Sequence, residues 1–209
     1  MNYLDALTKR YAVKKFDPGK IIPRETIQHI LSAGKLSASS MGLQPYKILV
    51  VESDEMRKKL IPAFFNPSQI STCSHLIVLV SKKNIEDHYV NAYLSHISLE
   101  RQIELPVLEP FKNNINAFIA KLSEAHASNW AEKQAYIALG SLMFAAALEQ
   151  IDSCPMEGFS QEKIDEILGL EIAKEKVSVT LALGYRAEDD VFQNMKKVRK
   201  PDDKLFKFL

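Results

Sequence analysis

The chain is poor in cysteine and glycine and carries almost no net charge. Only Cys73 and Cys154 occur in 209 residues. They form neither a CxxC pair nor a metal-finger spacing, which excludes a zinc module and fits a reduced compartment, although the two could pair in principle. The seven glycines make no GxGxxG and no GxxxxGK[ST], so the dinucleotide fingerprint and the P-loop are both absent. Met41-Gly42, in a serine-rich loop, is not a GxSxG elbow. A formal net charge of +1 provides no global field to steer nucleic acid or an anionic membrane, so any anion site must be local. The longest apolar stretch lies within residues 136–148, contains Ser141 and is too short to span a bilayer. Asp5, Lys9 and Arg10 interrupt the first residues before any secretory core forms. The expectation is a cytoplasmic protein with no membrane or nucleic-acid partner. His88, His96 and His126 stand singly without an HExxH partner, and Cys73 with His75 lacks a third ligand, so no metal site is expected.

What is present is the composition of a globular protein, 46% hydrophobic and 25% charged. Apolar, β-branched runs at 47–51, 76–80 and 177–183 read as buried strands. Helical patterns cover about 3–10, 23–34, 87–101, 110–125 and 129–150, which gives a mixed helix-and-strand chain. Asn129-Trp130-Ala131-Glu132 has the form of a capping box opening the last of these. Beyond Gln134 that helix is apolar or small on nearly every face, so it demands cover all round, from the core, a second subunit or both. No repeat, low-complexity tract or linker appears, and residues 1–209 read as one domain. About 186–209, mixed in charge and without period, read as an extended arm.

Five stretches can carry chemistry. Arg10-Tyr11-Ala12-Val13-Lys14-Lys15 holds three cations where a helix gives way to Pro18-Gly19, a setting for a dianionic phosphate or an electron-rich ring. Leu36–Tyr46 offers hydroxyls and close backbone running into a strand. Asn66 and Gln69, three apart, are carboxamides suited to a heterocycle edge. Cys154-Pro155-Met156-Glu157-Gly158-Phe159 ends a strand with a glycine that lets backbone approach a flat ligand, ahead of a helix that Ser160 would cap. Lys197-Val198-Arg199 puts two cations on one side of an extended chain. Taken singly, each also fits a turn or a solvated surface.

Their order and spacing together carry more. Arg-x-x-x-Lys-x-Phe-Asp, then Ser-Ser with Gln-Pro-Tyr, then Pro-x-Glu-Gly-Phe after a long apolar helix, and a late Lys-x-Arg resemble the FMN-dependent nitroreductase family. The branch most resembled is that of oxygen-insensitive NAD(P)H nitroreductases and dihydropteridine reductases. The likeness runs from Asp5 to Pro201 and is weakest over 87–127. It implies an α+β sandwich with a central mixed sheet flanked by helices, in an obligate homodimer with FMN at the interface. It makes Arg10, Lys197 and Arg199 phosphate ligands and Lys14 the cation beside the ring. Tyr11 and Ala12 fall in the same loop, where Ala12 offers only its backbone. Ser39, Ser40 and Pro45 match a loop donated by the second subunit, Asn66 the carboxamide at the ring edge, and Glu157 with Gly158 a backbone pair beside N5 and O4. Gln69 stands where close relatives carry lysine, which implies a ring that is harder to reduce. Phe118, more than Phe111, matches the aromatic of the substrate channel.

The implied reaction is ping-pong: NAD(P)H gives hydride to flavin N5 and leaves, then a nitroaromatic, quinone or pterin takes it. No side chain is required as general acid or base, so none is named catalytic. Two alternatives stay open at this point, a specialised flavoenzyme of the same family with a narrow substrate and a non-catalytic flavin-binding protein. A basic nucleic-acid binder using 196–200 is opposed by the near-zero net charge.

Overall fold

The protein is described by a computed structural model that covers residues 2–209. Its centre is a four-stranded sheet in the order β1-β2-β4-β3, formed by β1 (Tyr46–Val51), β2 (His75–Lys82), β3 (Asp152–Met156) and β4 (Glu175–Gly184). All three pairings are antiparallel. The α+β class stands, whereas parallel pairing among the described residues is confined to an isolated bridge between Ala12 and Ser153. The two central strands are buried on both faces, which is why they read as continuous apolar runs instead of alternating ones.

Alternation still decides which residue meets which layer. From β2, Leu76, Val78 and Val80 point into one cluster while Ile77 and Leu79 point into the other. On β4 a bulge opposite Leu79 and Val80 takes up Ser178 as an extra residue. Val177 therefore joins the first cluster although Val179, Leu181 and Leu183 lie in the second. Ser178 Oγ donates to Ser81 Oγ at 2.6 Å, so the bulged residue keeps a partner.

Helices cover both faces. The second cluster is closed by α2 (Arg24–Lys35) and α7 (Glu124–Leu148). The first lies under α3 (Asp54–Leu60), α4 (Ser68–Thr72) and α8 (Gln161–Ile167), with Val13 and Phe16 wholly buried beside them. A third cluster forms away from the sheet, where α5 (Asp87–Arg101) and α6 (Glu109–Ile119) pack on each other and on Trp130. The helix α1 (Tyr3–Lys9) opens the chain and α9 (Asp202–Leu205) lies near its end.

Helix starts differ from their reading in the sequence. The long helix begins at Glu124, with Ser123 Oγ accepting from the His126 N–H, so the Asn129 motif sits one turn inside it. Ser-x-x-His caps as well as the motif downstream because only one side-chain oxygen is required. The preceding helix stops at Ile119, not at 125. Ser160 occupies the N-cap of α8 without a side-chain cap bond. Cys73 ends α4 and is not on β2, so it does not share a strand face with His75. Both are buried: the Cys73 thiol is pushed up to about 12 by burial, which leaves it an inert core residue. Among the described residues no helix is long and apolar enough to cross a membrane, and no group of three or more potential ligands is placed to hold a metal.

Gly184 is the tightest backbone approach at the end of β4. A Cβ there would lie 2.7 Å from the Phe16 ring and 3.3 Å from the Ser74 backbone nitrogen. Gly184→Ala is expected to destabilise the protein by about 1–3 kcal/mol through overpacking, read as a lowered urea midpoint with an unchanged slope.

Candidate functional site

The N-terminal run is pinned at two levels. Val13 and Phe16 plug the core, and Val13 N–H and Asp17 N–H donate to the Ser153 and Tyr185 carbonyls. Between these plugs the backbone is held by Asp190, a buried carboxylate from the segment after β4. Asp190 accepts from Lys14 N–H at 2.7 Å, Lys15 N–H at 2.8 Å, Phe192 N–H at 3.0 Å and the Tyr11 hydroxyl at 3.2 Å. Burial alone would raise its pKa, but these donors outweigh burial and hold it below the usual carboxylate value. The Tyr11 ring is covered by the Arg186 guanidinium at 4.6 Å, which itself forms a bidentate pair with Asp152. Lys15 turns away and pairs with exposed Asp189 instead of standing free in solvent.

Because both chain ends are tied to Asp190, Arg10, Lys197 and Arg199 converge across roughly 190 residues of sequence. They line a cleft of about 600 Å³ with Tyr11, Ala12, Lys14 and Arg186. Lys197 Nζ donates to the Leu7 and Arg10 carbonyls, which fixes its ammonium at the C-terminal end of α1. Arg10 has its pKa lowered by burial and then by Arg199; Lys197 is lowered by burial, then by Arg10 and Arg199. Arg10 and Lys197 are thus each disfavoured by burial and by neighbouring cations, and Arg10 Nε is buried without a hydrogen-bond partner. Such a cluster is complementary to a multiply charged anion.

A second, narrower cleft of about 270 Å³ shares Lys14 with the first. Its walls are Phe64, Phe65, Asn66, Gln69, Cys154 and the turn Pro155–Gly158. Lys14 Nζ and Gln69 Nε2 each lie 3.9 Å from Cys154 Sγ. Gln69 is 4% exposed, and its Oε1 has no partner. Asn66 is exposed, with its Oδ1 accepting from the Ser68 N–H at 3.2 Å, so this carboxamide caps a turn. The Glu157 carboxylate accepts from the Tyr136 hydroxyl at 2.6 Å and is drawn toward α7. Gly158 presents backbone to the cleft, its carbonyl accepting from Phe65 N–H at 2.9 Å.

The remaining candidates lie elsewhere within the chain. Ser39, Ser40 and Pro45 line neither cleft. They sit on a loop in which Met41, Gly42 and Gln44 all have positive φ. That conformation is held by Tyr89, whose hydroxyl meets the Leu43 and Gln44 carbonyls, by Tyr93, which donates to the Met41 carbonyl, and by Gln134, which accepts from Ser40 N–H. Phe118 packs against Trp130 with ring centroids 5.4 Å apart and touches neither cleft.

The model of the nitroreductase family matches residues 7–185. A protein of Staphylococcus haemolyticus named "Putative NAD(P)H nitroreductase" is 35% identical over 214 aligned residues, covering 99% of this chain and 96% of its own. The chain belongs to the nitroreductase family. A solved NAD(P)H:FMN oxidoreductase structure from Staphylococcus epidermidis, so described provisionally, shares the fold with a TM-score of 0.87 at 25% identity, covering 100% of this chain and 96% of that one. A nitroreductase structure from Exiguobacterium sibiricum, solved in complex with FMN, has a TM-score of 0.85 at 21% identity over 100% of this chain and 98% of that one.

Sequence reasoning missed Asp190, Arg186 and Tyr136. Asp190 sits in an acidic triplet, 188–190, that reads as solvated surface; only the buried run opposite it reveals its task. Asp190→Ala is expected to cost about 1–3 kcal/mol by stranding buried N–H donors, measured by urea unfolding at pH 7. Because its folded pKa lies below the unfolded one, wild-type stability from this residue is present at neutral pH and fades as pH falls below about 4. The alanine variant should show a shallower decline over that range.

Proposed function

We propose that the protein is an FMN-dependent NAD(P)H oxidoreductase that reduces nitroaromatics, quinones or pterins. The observation that carries this reading is the pair of clefts meeting at Lys14, one demanding a dianion and the other lined by a turn of backbone and a buried unpaired carbonyl. A flavin mononucleotide has both parts, a phosphate and a flat polar-edged ring. The FMN complex of the Exiguobacterium protein and the oxidoreductase description of the Staphylococcus epidermidis protein support it.

Arg10, Lys197 and Arg199 would hold the phosphate, the two arginines through forked donors and the lysine as a point charge. Lys14 would lie beside the pyrimidine side of the ring, and the Glu157–Gly158 backbone along its other edge. Bound there, FMN would supply hydride-transfer chemistry between a nicotinamide and the acceptor. The protein orients the two rings and keeps water from the reacting face, and no side chain is assigned as general acid or base.

The site is completed in this reading by a second copy of the chain. The outward side of α7 exposes Ile137, Phe144 and Leu148, and Gly140 between them has nothing within 4 Å of a Cβ position. Such a stripe allows a second α7 to approach closely and accounts for a helix apolar on both sides. Ser39, Ser40 and Pro45 would then reach the partner's clefts, and the tail bearing Leu205, Phe206 and Phe208, all exposed here, would lie on the other subunit.

The purified protein is expected to be yellow, and its visible flavin band to bleach promptly under anaerobic NADH or NADPH; a colourless protein, or a band that persists, would count against the reading. Arg10→Ala should weaken FMN binding by about ten- to a hundredfold, the range for a charge-assisted hydrogen bond, measured by flavin fluorescence. Phe144→Glu should convert a dimer to a monomer in light scattering and release FMN with it.

A further inference from the structure

We propose that His75 is an acid-sensitive latch: in its neutral form it holds the segment leading into α2, residues 17–23, against the start of β2, and protonation loosens that segment. The inference is independent of the FMN reading, because neither Ser74 nor His75 lines either cleft.

Ser74 is the joint. Its N–H donates to the Leu183 carbonyl of β4 at 2.9 Å, and its carbonyl accepts from the Arg57 guanidinium of α3. Its Oγ accepts from the Ile22 N–H at 2.8 Å and lies 2.8 Å from His75 Nδ1. One buried residue therefore ties β4, α3 and the entry to α2 to the first residue of β2. With Ile22 donating to the hydroxyl oxygen, the single hydroxyl proton is left for the imidazole. The far ring nitrogen decides the tautomer. His75 Nε2 faces Glu52 Oε1 at 3.7 Å, and a carboxylate only accepts, so Nε2 carries the proton and Nδ1 receives the Ser74 hydroxyl.

A proton added at Nδ1 removes that acceptor and strands the Ser74 O–H. It also puts a positive charge on a buried ring. Two charged groups act on this ring: Glu52, just past the end of β1, attracts the proton, and Arg57 of α3, itself paired with Asp54, repels it. Across the sheet the register partner of His75 is Leu183, whose side chain is apolar. The Glu52 side chain is mostly exposed, so its attraction is screened by water. Burial is the largest influence and, with Arg57, holds the His75 pKa below its ordinary 6.5. The unfolded chain therefore takes up this proton before the folded one. Stability from neutral His75 is complete above 6.5 and is lost as pH falls below it. His29, His88, His96 and His126 are exposed, and Asp190 titrates below the usual carboxylate value, so none of them accounts for a change in this window.

The test is amide hydrogen exchange on the protein as purified. Protection of residues 17–23, corrected for intrinsic exchange and normalised to residues 76–80, should fall at least about threefold between about pH 7.5 and about pH 5.5. His75→Gln keeps an acceptor oxygen for Ser74 but cannot titrate, so its protection should stay constant over that range. In wild type the His75 ring, followed by NMR, should titrate below 6.5. Constant protection in wild type would overturn the inference. An equal fall in His75→Gln would overturn it as well, since another group would then be responsible. Titration of the wild-type ring at or above 6.5 would do the same, even where the glutamine variant failed to fold.

Discussion

The two ends of this chain are held together around one buried carboxylate. Asp190 accepts four hydrogen bonds, two of them from consecutive backbone N–H groups in the N-terminal run. Together with the Lys197 ammonium, which donates to the Leu7 and Arg10 carbonyls, and the Ala187 N–H, which donates to the Lys15 carbonyl, this tie brings Arg10, Lys197 and Arg199 onto one wall. The carboxylate is itself stabilised by what it holds, since its donors keep it ionised despite its burial. Val13 and Phe16 set the depth of the run and Asp190 sets its lateral position, so packing and hydrogen bonding fix the same backbone independently.

The cation cluster is a local instability built on that rigid frame. Arg10 and Lys197 are each disfavoured by burial and by like charge, and two nearby carboxylates are committed elsewhere: Asp190 to the backbone and Asp152 to Arg186. Repulsion of this kind persists only when the surrounding structure over-determines it, and the energy it stores is recovered by an anion that enters. The narrow cleft follows the same logic in neutral form, with the unpaired Gln69 oxygen in place of the unpaired charge. Both clefts therefore select by what they leave unsatisfied, one for charge and one for a hydrogen-bond donor.

Much of this was legible in the residues, for reasons that differ by element. The central strands announced themselves because burial on both faces forces unbroken apolar runs, and 76–80 and 177–183 fall within β2 and β4. Arg10, Lys14, Lys197 and Arg199 were found because cations at fixed spacing are a chemical pattern that survives translation into geometry, and they do line one cleft. The short helices α3 and α4 were not anticipated, since five to seven residues give too little periodicity to separate a helix from a loop. Helix starts slipped because several Ser and Asn positions compete as caps and only packing chooses among them. Asn66 and Gln69 looked alike in sequence. Burial separates them, and burial depends on Phe64, Cys154 and the strand end that the chain brings over Gln69 from 85 residues away.

Residues 39–45 are held away from both clefts of their own chain. Met41 and Gln44, left-handed on either side of Gly42 and Leu43, are strained, and two tyrosine hydroxyls and a glutamine hold the loop in that shape. Those tyrosines come from α5. Nothing in either cleft of the same chain uses the loop. Strain that is actively maintained but locally idle is best explained by a contact outside the chain, and the exposed apolar stripe on α7 gives such a contact somewhere to form. In the dimeric reading proposed above, α5 does not alter the chemistry of the clefts of its own chain but would fix the shape of a loop that serves a neighbouring copy.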